Sequence, residues 1–316
     1  MSRPATHTGP APVRETALTG EEVRKFWRDG FLRPGRLVSP DRVDILRRRL
    51  EEIREGHGSP SKAIVVDHLK IYERGESRDE PKPAIPLLTG LTSTESCFRE
   101  VTFDRRLVFW ISQLLGTPDL AFLLDQAIIK LPHVSGDFYW HQDWPAWPIA
   151  PSEVISCWVA LEDVVLENGA MEMAVGTHAL GRFLPRNAST GLPVEGQAVR
   201  DLEAAGMKTM PDPADLGLRV EPIELRAGEV SLHHGLTWHR SGPNETETTR
   251  HAFILRYADG SVEYIGKSFS ALGFEDMTKL GMRIDETDLF PSVKVTSDIR
   301  DEPRVGAGLT IASVDA

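Results

Sequence analysis

Apolar residues recur at helical spacing only in the first third of the chain. Thr19 and Glu22 have the Thr-x-x-Glu spacing of a capping box, Val23, Phe26 and Trp27 follow on one face, and Gly30 closes the segment, which predicts a first helix. Ser39-Pro40 opens a second helix, with Val43, Leu46, Leu50 and Ile53 as its apolar face and Gly56 at its end. A third is predicted over 104–115, ending at Gly116. Between the second and third, residues 57–95 lose any period. Their mixture of polar residues, Pro and Gly reads as a substrate-side loop or as a long surface connection.

After residue 120 the pattern changes to short apolar or alternating runs: 121–131, 137–143, 154–161, 169–175, 220–225, 229–233 and 251–258. Turn residues separate them, at 132–136, 145–151, Glu167-Asn168-Gly169 and Gly176. Seven or more such strands within about 140 residues predict a sandwich or barrel. Residues 181–219 interrupt the series. They are rich in Gly, Pro and Ala, with one helix predicted near Val199–Ala205, and an insertion of this kind often lies over a barrel mouth. The chain shows no internal repeat and no low-complexity tract.

The 316 residues suffice for two ordinary domains or one large β-barrel domain. The organisation expected is a flexible N-terminal tail over 1–17, one domain over 18–300, and a C-terminal tail over 301–316. Within the domain, 18–118 is helical, 120–260 is the barrel, and 181–219 is the insertion near the mouth. Lys and Arg number 36 against 47 Asp and Glu, a formal net charge of −11. That surface repels nucleic acid and anionic membranes, so neither is expected as a partner, although a local basic pocket for a small anion is compatible with it. Cys97 and Cys157, the only two cysteines, cannot form a disulfide framework, and the absence of Cys-x-x-Cys excludes thiolate zinc and iron–sulfur clusters as major features. The N-terminus lacks the apolar core of a signal peptide and no 18-residue apolar run occurs, which points to the cytoplasm. The glycosylation patterns at Asn187 and Asn244 are then chance matches.

The sharpest local feature is Phe138-Tyr-Trp-His-Gln-Asp-Trp144. Alternate residues of a strand face the same way, so His141 and Asp143 point together, with Trp140 out of phase and packed on the outer layer. One imidazole and one carboxylate suit a divalent first-row metal but do not complete a site. His239, placed at a strand end before the turn Ser241-Gly-Pro-Asn244, is positioned to add a third ligand. Two histidines and a carboxylate on one face leave open positions on iron(II). Arg250 opens the next strand and can hold a carboxylate through two parallel hydrogen bonds. His233 and His234 lead into His239 and are not needed as ligands. His178 reads as structural, Cys157 as a small buried hydrophobe, and Met171 and Met173 as core.

These segments resemble the phytanoyl-CoA dioxygenase family of iron(II)/2-oxoglutarate-dependent oxygenases. The likeness rests on His141-x-Asp143, on Cys157–His178 with its Trp-x-Ala-Leu-x-Asp, Glu-Asn-Gly and Gly-Thr-His elements, and on His239-x-Ser241 … Arg250. Leu18-Thr-Gly-Glu-Glu … Asp29-Gly-Phe-Leu is similar to the family's opening, so the resemblance covers roughly residues 18–260. It departs at Thr177, where the family has Ser. It departs also at Pro148–Glu153, where the ectoine-hydroxylase branch has Asp-Gly-Met-Pro, which speaks against ectoine as substrate.

The resemblance implies a mostly β fold with flanking helices (α+β), a double-stranded β-helix of the jelly-roll or cupin type. It implies iron(II) on His141, Asp143 and His239, with 2-oxoglutarate as co-substrate and dioxygen as oxidant. Arg250 and Ser241 would hold the distal carboxylate of 2-oxoglutarate. Gln126 and Lys130 would contact co-substrate or substrate, or Lys130 would face solvent. Trp147 would wall the pocket or pack on the core. The implied reaction is hydroxylation of an unactivated C–H bond of a small molecule, with succinate and carbon dioxide as co-products. Related halogenases carry a small residue where Asp143 stands, so hydroxylation is expected over chlorination. Desaturation, epoxidation, ring closure and epimerisation remain open on the same core. An acyl-CoA site should show clustered Lys and Arg, and the candidate loops have only scattered ones, which favours a free specialised metabolite or amino-acid derivative. A catalytically silent metal-binding barrel and a zinc hydrolase are the readings from other classes. A monomer or homodimer is expected.

Overall fold

The structure is a computed structural model that describes residues 13–57, 64–67, 86–133, 137–143, 149–183, 210–265, 283, 292–295 and 309–311. The helices are α1 (Gly20–Asp29), α2 (Pro40–Arg54), α3 (Leu91–Thr94), α4 (Ser96–Thr102) and α5 (Arg105–Leu115). The strands before the insertion are β1 (Phe31–Arg36), β2 (Ile64–Asp67), β3 (Pro86–Thr89), β4 (Asp119–Lys130), β5 (Phe138–His141), β6 (Ile149–Ala150), β7 (Val154–Ala160) and β8 (Met171–Ala174). After it come β9 (Val220–Ile223), β10 (Glu229–His234), β11 (His239–Ser241), β12 (Arg250–Asp259), β13 (Glu263–Tyr264), β14 (Ser292–Val295) and β15 (Leu309–Ile311).

Of the caps read from the sequence, those of α1 are present, while Ser39 opens α2 without a side-chain cap hydrogen bond. Thr19 Oγ1 accepts from the Glu22 N–H, the Glu22 carboxylate accepts from the Thr19 N–H, and Gly30 ends α1 in the left-handed region. Asp104 caps α5 and Gly116 ends it. Several strands escaped the periodicity: β2 and β3 lie in the stretch that lost any period, β6 in a run read as a turn, β13–β15 beyond the last predicted strand, and β1 in a run unlike a strand. The run Phe31-Leu-Arg-Pro-Gly-Arg36 contains Pro and Gly, which argue against a strand interior. It forms β1 because it lies at a sheet edge, pairs among the described residues with β10 alone, and carries an irregularity between Leu32 and Gly35.

Two antiparallel sheets make the barrel. The larger has the order β1-β10-β7-β12-β4-β14-β15, with β3 also on β4 and β2 on β3. The smaller has the order β5-β11-β8-β9. The central strands β7 and β12 are buried on both faces, which is why they read as continuous apolar runs. On the outward face of the large sheet, Cys157, Val159, Phe253, Leu255 and Tyr257 pack against Phe26, Leu46, Leu50, Phe98, Trp110 and Ile111 from the helices. Each such fully buried side chain contributes roughly 1.5–3 kcal/mol of transfer free energy. On the inward face, Trp158, Ala160, Ala252 and Ile254 meet Met171, Met173 and Ile223 of the small sheet. The fold is therefore a jelly roll with helices on one flank.

Two expected boundaries shift. Residues 13–17 belong to the fold: the Arg14 N–H donates to the Arg36 carbonyl at 2.8 Å, and its guanidinium holds Glu22 at 2.6 Å. Leu309–Ile311, inside the expected C-terminal tail, pairs with β14. The described ends of the insertion, Phe183, Met210 and Leu218, pack on Trp140 and Trp238. The helix expected at Val199–Ala205 lies outside the described residues, as does most of 57–95, of which 64–67 and 86–89 are strands. No helix among the described residues is long and apolar enough to cross a membrane.

Candidate active site

His141 ends β5 and His239 begins β11, and the two stand directly opposite each other in the small sheet with ring centroids 4.1 Å apart. Asp143 lies two residues beyond His141, past the end of the strand. One ligand atom from each of His141, Asp143 and His239 lies within 4.8 Å of the other two. His239 does not extend the strand that carries His233 and His234, as its spacing suggested. That strand, β10, stops at His234, and Gly235–Trp238 carries the chain across to the small sheet, with the Thr237 N–H donating to the His234 carbonyl at 2.8 Å.

Backbone contacts set the imidazole tautomers. Nδ1 of His141 lies 2.7 Å from the Tyr139 carbonyl, and Nδ1 of His239 lies 2.9 Å from the Thr237 carbonyl. A carbonyl only accepts, so each Nδ1 carries the proton and each Nε2 keeps its lone pair. Burial pushes His239 down to about 4, so it is neutral at pH 7. Asp143 is the opposite case. Burial alone would raise its carboxyl, but the Arg256 charge and the His233 hydrogen bond outweigh burial and hold it well below the usual range. Two imidazoles with Nδ1 engaged by backbone carbonyls and one carboxylate therefore converge. That is a facial donor set for a divalent first-row metal.

The second cluster surrounds Arg250. It stands opposite Lys130 in the β4–β12 pair, and both are buried. Arg250 Nη2 donates to the Gly169 carbonyl at 3.2 Å, and Nε reaches the Asn168 carbonyl at 3.5 Å. Nη1 is buried with no partner among the described residues. The face of Trp158 lies 5.2 Å from the guanidinium carbon. Burial pushes Arg250 down to about 10, which leaves it charged at pH 7. Lys130 Nζ donates to Ser241 Oγ at 2.6 Å and to the Gly242 carbonyl, and Ser241 Oγ donates to the Gly169 carbonyl at 3.1 Å. Lys130 is thus an inward residue, not a solvent-facing one. Gly169 fits here because a Cβ would meet the Gly242 carbonyl oxygen at 2.7 Å and its φ is +85°.

The sequence-predicted residues thus fall into two groups and two remainders. His141, Asp143 and His239 meet in one cluster, and Arg250, Ser241 and Lys130 in another. Gln126 shares the inward face of β4 but sits about 13 Å along the strand from Lys130. Trp147 lies outside the described residues. Sequence reasoning missed Ser156, His233 and Arg256, all of which contact Asp143. The even spacing of Arg256 from Arg250 along one strand was the available signal for it.

A jelly roll with two histidines and a carboxylate at the meeting of its sheets has the architecture of the iron(II)/2-oxoglutarate oxygenases. Residues 26–252, well over half of the chain, match the model of the family Phytanoyl-CoA dioxygenase (PhyH), and the chain belongs to that family. It is 27% identical over 271 residues to phytanoyl-CoA dioxygenase domain-containing protein 1 of Danio rerio, covering 75% of this chain and 89% of that one. A probable alpha-ketoglutarate-dependent hypophosphite dioxygenase of Stutzerimonas stutzeri is 29% identical over 119 residues, 38% of each chain. Among solved structures, the carbocyclase SnoK from nogalamycin biosynthesis superposes with a TM-score of 0.65 at 22% identity, covering 90% of this chain and 99% of that one. The epimerase SnoN, in complex with Fe3+, alpha ketoglutarate and nogalamycin RO, has a TM-score of 0.65 at 19% identity, covering 86% of this chain and 97% of that one.

Proposed function

We propose that this protein is an iron(II)/2-oxoglutarate-dependent dioxygenase that hydroxylates an unactivated C–H bond of a free small molecule, such as a specialised metabolite or amino-acid derivative, in the cytoplasm. The observation that carries this reading is the convergence of His141, Asp143 and His239 within 4.8 Å, with both histidine Nδ1 atoms already engaged by backbone carbonyls. The donors fit a divalent iron: two Nε2 lone pairs and one carboxylate oxygen. The buried Nη1 of Arg250 fits the distal carboxylate of 2-oxoglutarate, which would complete it. When bound, iron and 2-oxoglutarate supply the oxidative chemistry, consuming dioxygen and yielding succinate and carbon dioxide.

The chain's own residues do the rest. His141, Asp143 and His239 would hold the metal through two imidazoles and one carboxylate, a donor set that leaves room for small-molecule ligands. Arg250 fixes the orientation of the co-substrate, with Ser241 and Lys130 beside it and Gln126 further along toward the substrate. Trp158, Met171 and Ile254 line the interior with apolar surface and exclude water from the reacting centre. Asp143 occupies the position a halide would need, and its charge disfavours a second anion there.

The test is turnover with iron(II), 2-oxoglutarate, labelled dioxygen and a metabolite library in the presence of excess chloride. Succinate formed about one-to-one with a product one labelled oxygen heavier supports hydroxylation. A product two hydrogens lighter, or of unchanged mass, moves the assignment to desaturation, ring closure or epimerisation. Metal binding without succinate under any condition favours a silent barrel. A halogenated product overturns the role given to Asp143.

A further inference from the structure

Three side chains from neighbouring strands of the large sheet converge on one carboxylate of the other sheet. His233 on β10 stands opposite Ser156 on β7, and Ser156 stands opposite Arg256 on β12. Directly opposite residues share a face, and this row faces the barrel interior, two positions along β7 and β12 from Trp158 and Ile254. Ser156 Oγ donates to Asp143 Oδ2 at 2.7 Å, and His233 Nε2 lies 3.3 Å from the same oxygen. Arg256 Nη2 lies 3.5 Å from Oδ1, which is also the oxygen that faces His239 Nε2, at 4.0 Å. Ser156 and His233 are almost wholly buried, at 0% and 1% exposure, so water does not compete for these contacts.

Asp143 needs such support. It lies beyond the end of β5, so the sheet does not fix its side chain, and a carboxylate can offer a metal one oxygen or both. We infer that Ser156 and His233 are positioning residues that engage Oδ2 and thereby present Oδ1 alone to the metal, with Arg256 Nη2 3.5 Å from Oδ1. This rests on the reading of Asp143 as a metal ligand. To donate to Oδ2, His233 must carry its proton on Nε2. The ring lies 4.7 Å from that of His239, so it also fixes the plane of a second ligand. The effect of the row is on how the metal is held.

The experiment titrates the full chain with cobalt(II), a redox-quiet probe whose visible spectrum reports coordination. Removing partners that orient a metal ligand typically costs about 10–100-fold in affinity. The double variant Ser156→Ala/His233→Phe is expected to bind cobalt(II) roughly 10–100-fold more weakly, with an altered visible band and an unchanged far-ultraviolet dichroism spectrum. Ser156→Ala/His233→Gln, which returns an N–H donor, is expected to recover most of the affinity. Parental affinity and spectrum in the double variant would overturn the inference. Should His233→Phe fail to fold, Ser156→Ala alone decides, because it deletes a single oxygen. Asp143→Ala, run in parallel, separates the two readings. If it binds cobalt(II) like the parent, the ligand assignment fails. If it loses binding while the double variant keeps it, only the positioning role fails.

Discussion

Lys130 and Arg250 stand side by side across β4 and β12, two cationic groups on one buried floor. Burial, and then the charge of Arg250, pushes Lys130 down to about 6. In the unliganded protein its amine is therefore neutral above about pH 6. A dicarboxylate entering beside it favours the ammonium, so binding raises this pKa and takes up a proton. The sign follows: the affinity for 2-oxoglutarate falls as pH rises above about 6, until the bound-state pKa is passed. Titration calorimetry at pH 8 in buffers of different ionisation heat is expected to show net proton uptake, lost in Lys130→Met. Equal heats in both buffers for the parent would remove Lys130 from the co-substrate pocket.

Arg250→Ala and His239→Ala should fail in different ways. The first deletes a charge-assisted bidentate contact, so the affinity for 2-oxoglutarate is expected to fall by roughly 10²–10³ while cobalt(II) still binds. The second should lose metal affinity with its fold intact, since His239 is neutral and its cluster sits between preformed sheets. Arg250→Lys should rescue little, because a point charge cannot reproduce the fork that reaches Asn168 and Gly169. Loss of metal binding in Arg250→Ala would mean that the two clusters are not independent.

Gly169 explains why Glu-Asn-Gly matters beyond being a turn. Its carbonyl accepts from both Arg250 Nη2 and Ser241 Oγ, which holds the two side chains together. Gly169→Ala places a Cβ against the Gly242 carbonyl at a φ of +85°. The backbone strain alone costs about 1–3 kcal/mol. Urea denaturation should show that loss or more, and 2-oxoglutarate affinity should fall with it. Unchanged values in both would mean that the turn relaxes without moving the clamp.

Helices α1, α2 and α5 were legible from apolar spacing and from end residues such as Thr19 with Glu22 and glycines 30 and 116, whereas the short α3 and α4 were not. Strands β4, β5, β7–β10 and β12 were legible as alternating or continuous apolar runs; β2, β3, β6 and β13–β15 were not, nor was β1, whose Pro34 and Gly35 are tolerated at a sheet edge. The clustered residues His141, Asp143 and His239 were legible as motifs. Their support was not. Ser156, His233 and Arg256 meet Asp143 through the register of three strands, and His233 is 90 residues away from it in the chain. The carbonyls of Asn168 and Gly169 are backbone atoms, and no residue type announces them. The sheet change between His234 and His239 was hidden for a related reason: alternation continues in the letters while the chain passes from one sheet to the other.

Gln142 lies between two ligand residues and faces away from them. Its Nε2 donates to the carbonyls of Gly181 at 2.9 Å and Leu236 at 2.8 Å, and its Oε1 accepts from the Phe183 N–H at 2.8 Å. One buried amide thus ties the His141–Asp143 segment to the turn before His239 and to the start of the insertion. Gln142→Ala leaves a donor and two acceptors without partners, each costing about 1–3 kcal/mol where water cannot enter. Gln142→Glu is the sharper probe. The new carboxylate keeps the contact to Phe183 but sets an anionic oxygen against two carbonyl oxygens. Its protonated form restores one of the lost donors. The folded state therefore favours the protonated acid, and the pKa at position 142 rises above the unfolded value of about 4.3. A raised carboxyl pKa gives stability that is retained at low pH and lost as pH climbs through the folded value. Relative to the parent, Gln142→Glu should be nearly as stable near pH 5 and clearly weaker near pH 8, with cobalt(II) affinity following the same trend. Thermal midpoints of both proteins across that range provide the measurement. A deficit independent of pH would show that the carboxylate turns out to solvent and that the amide does not hold the two ligands in place.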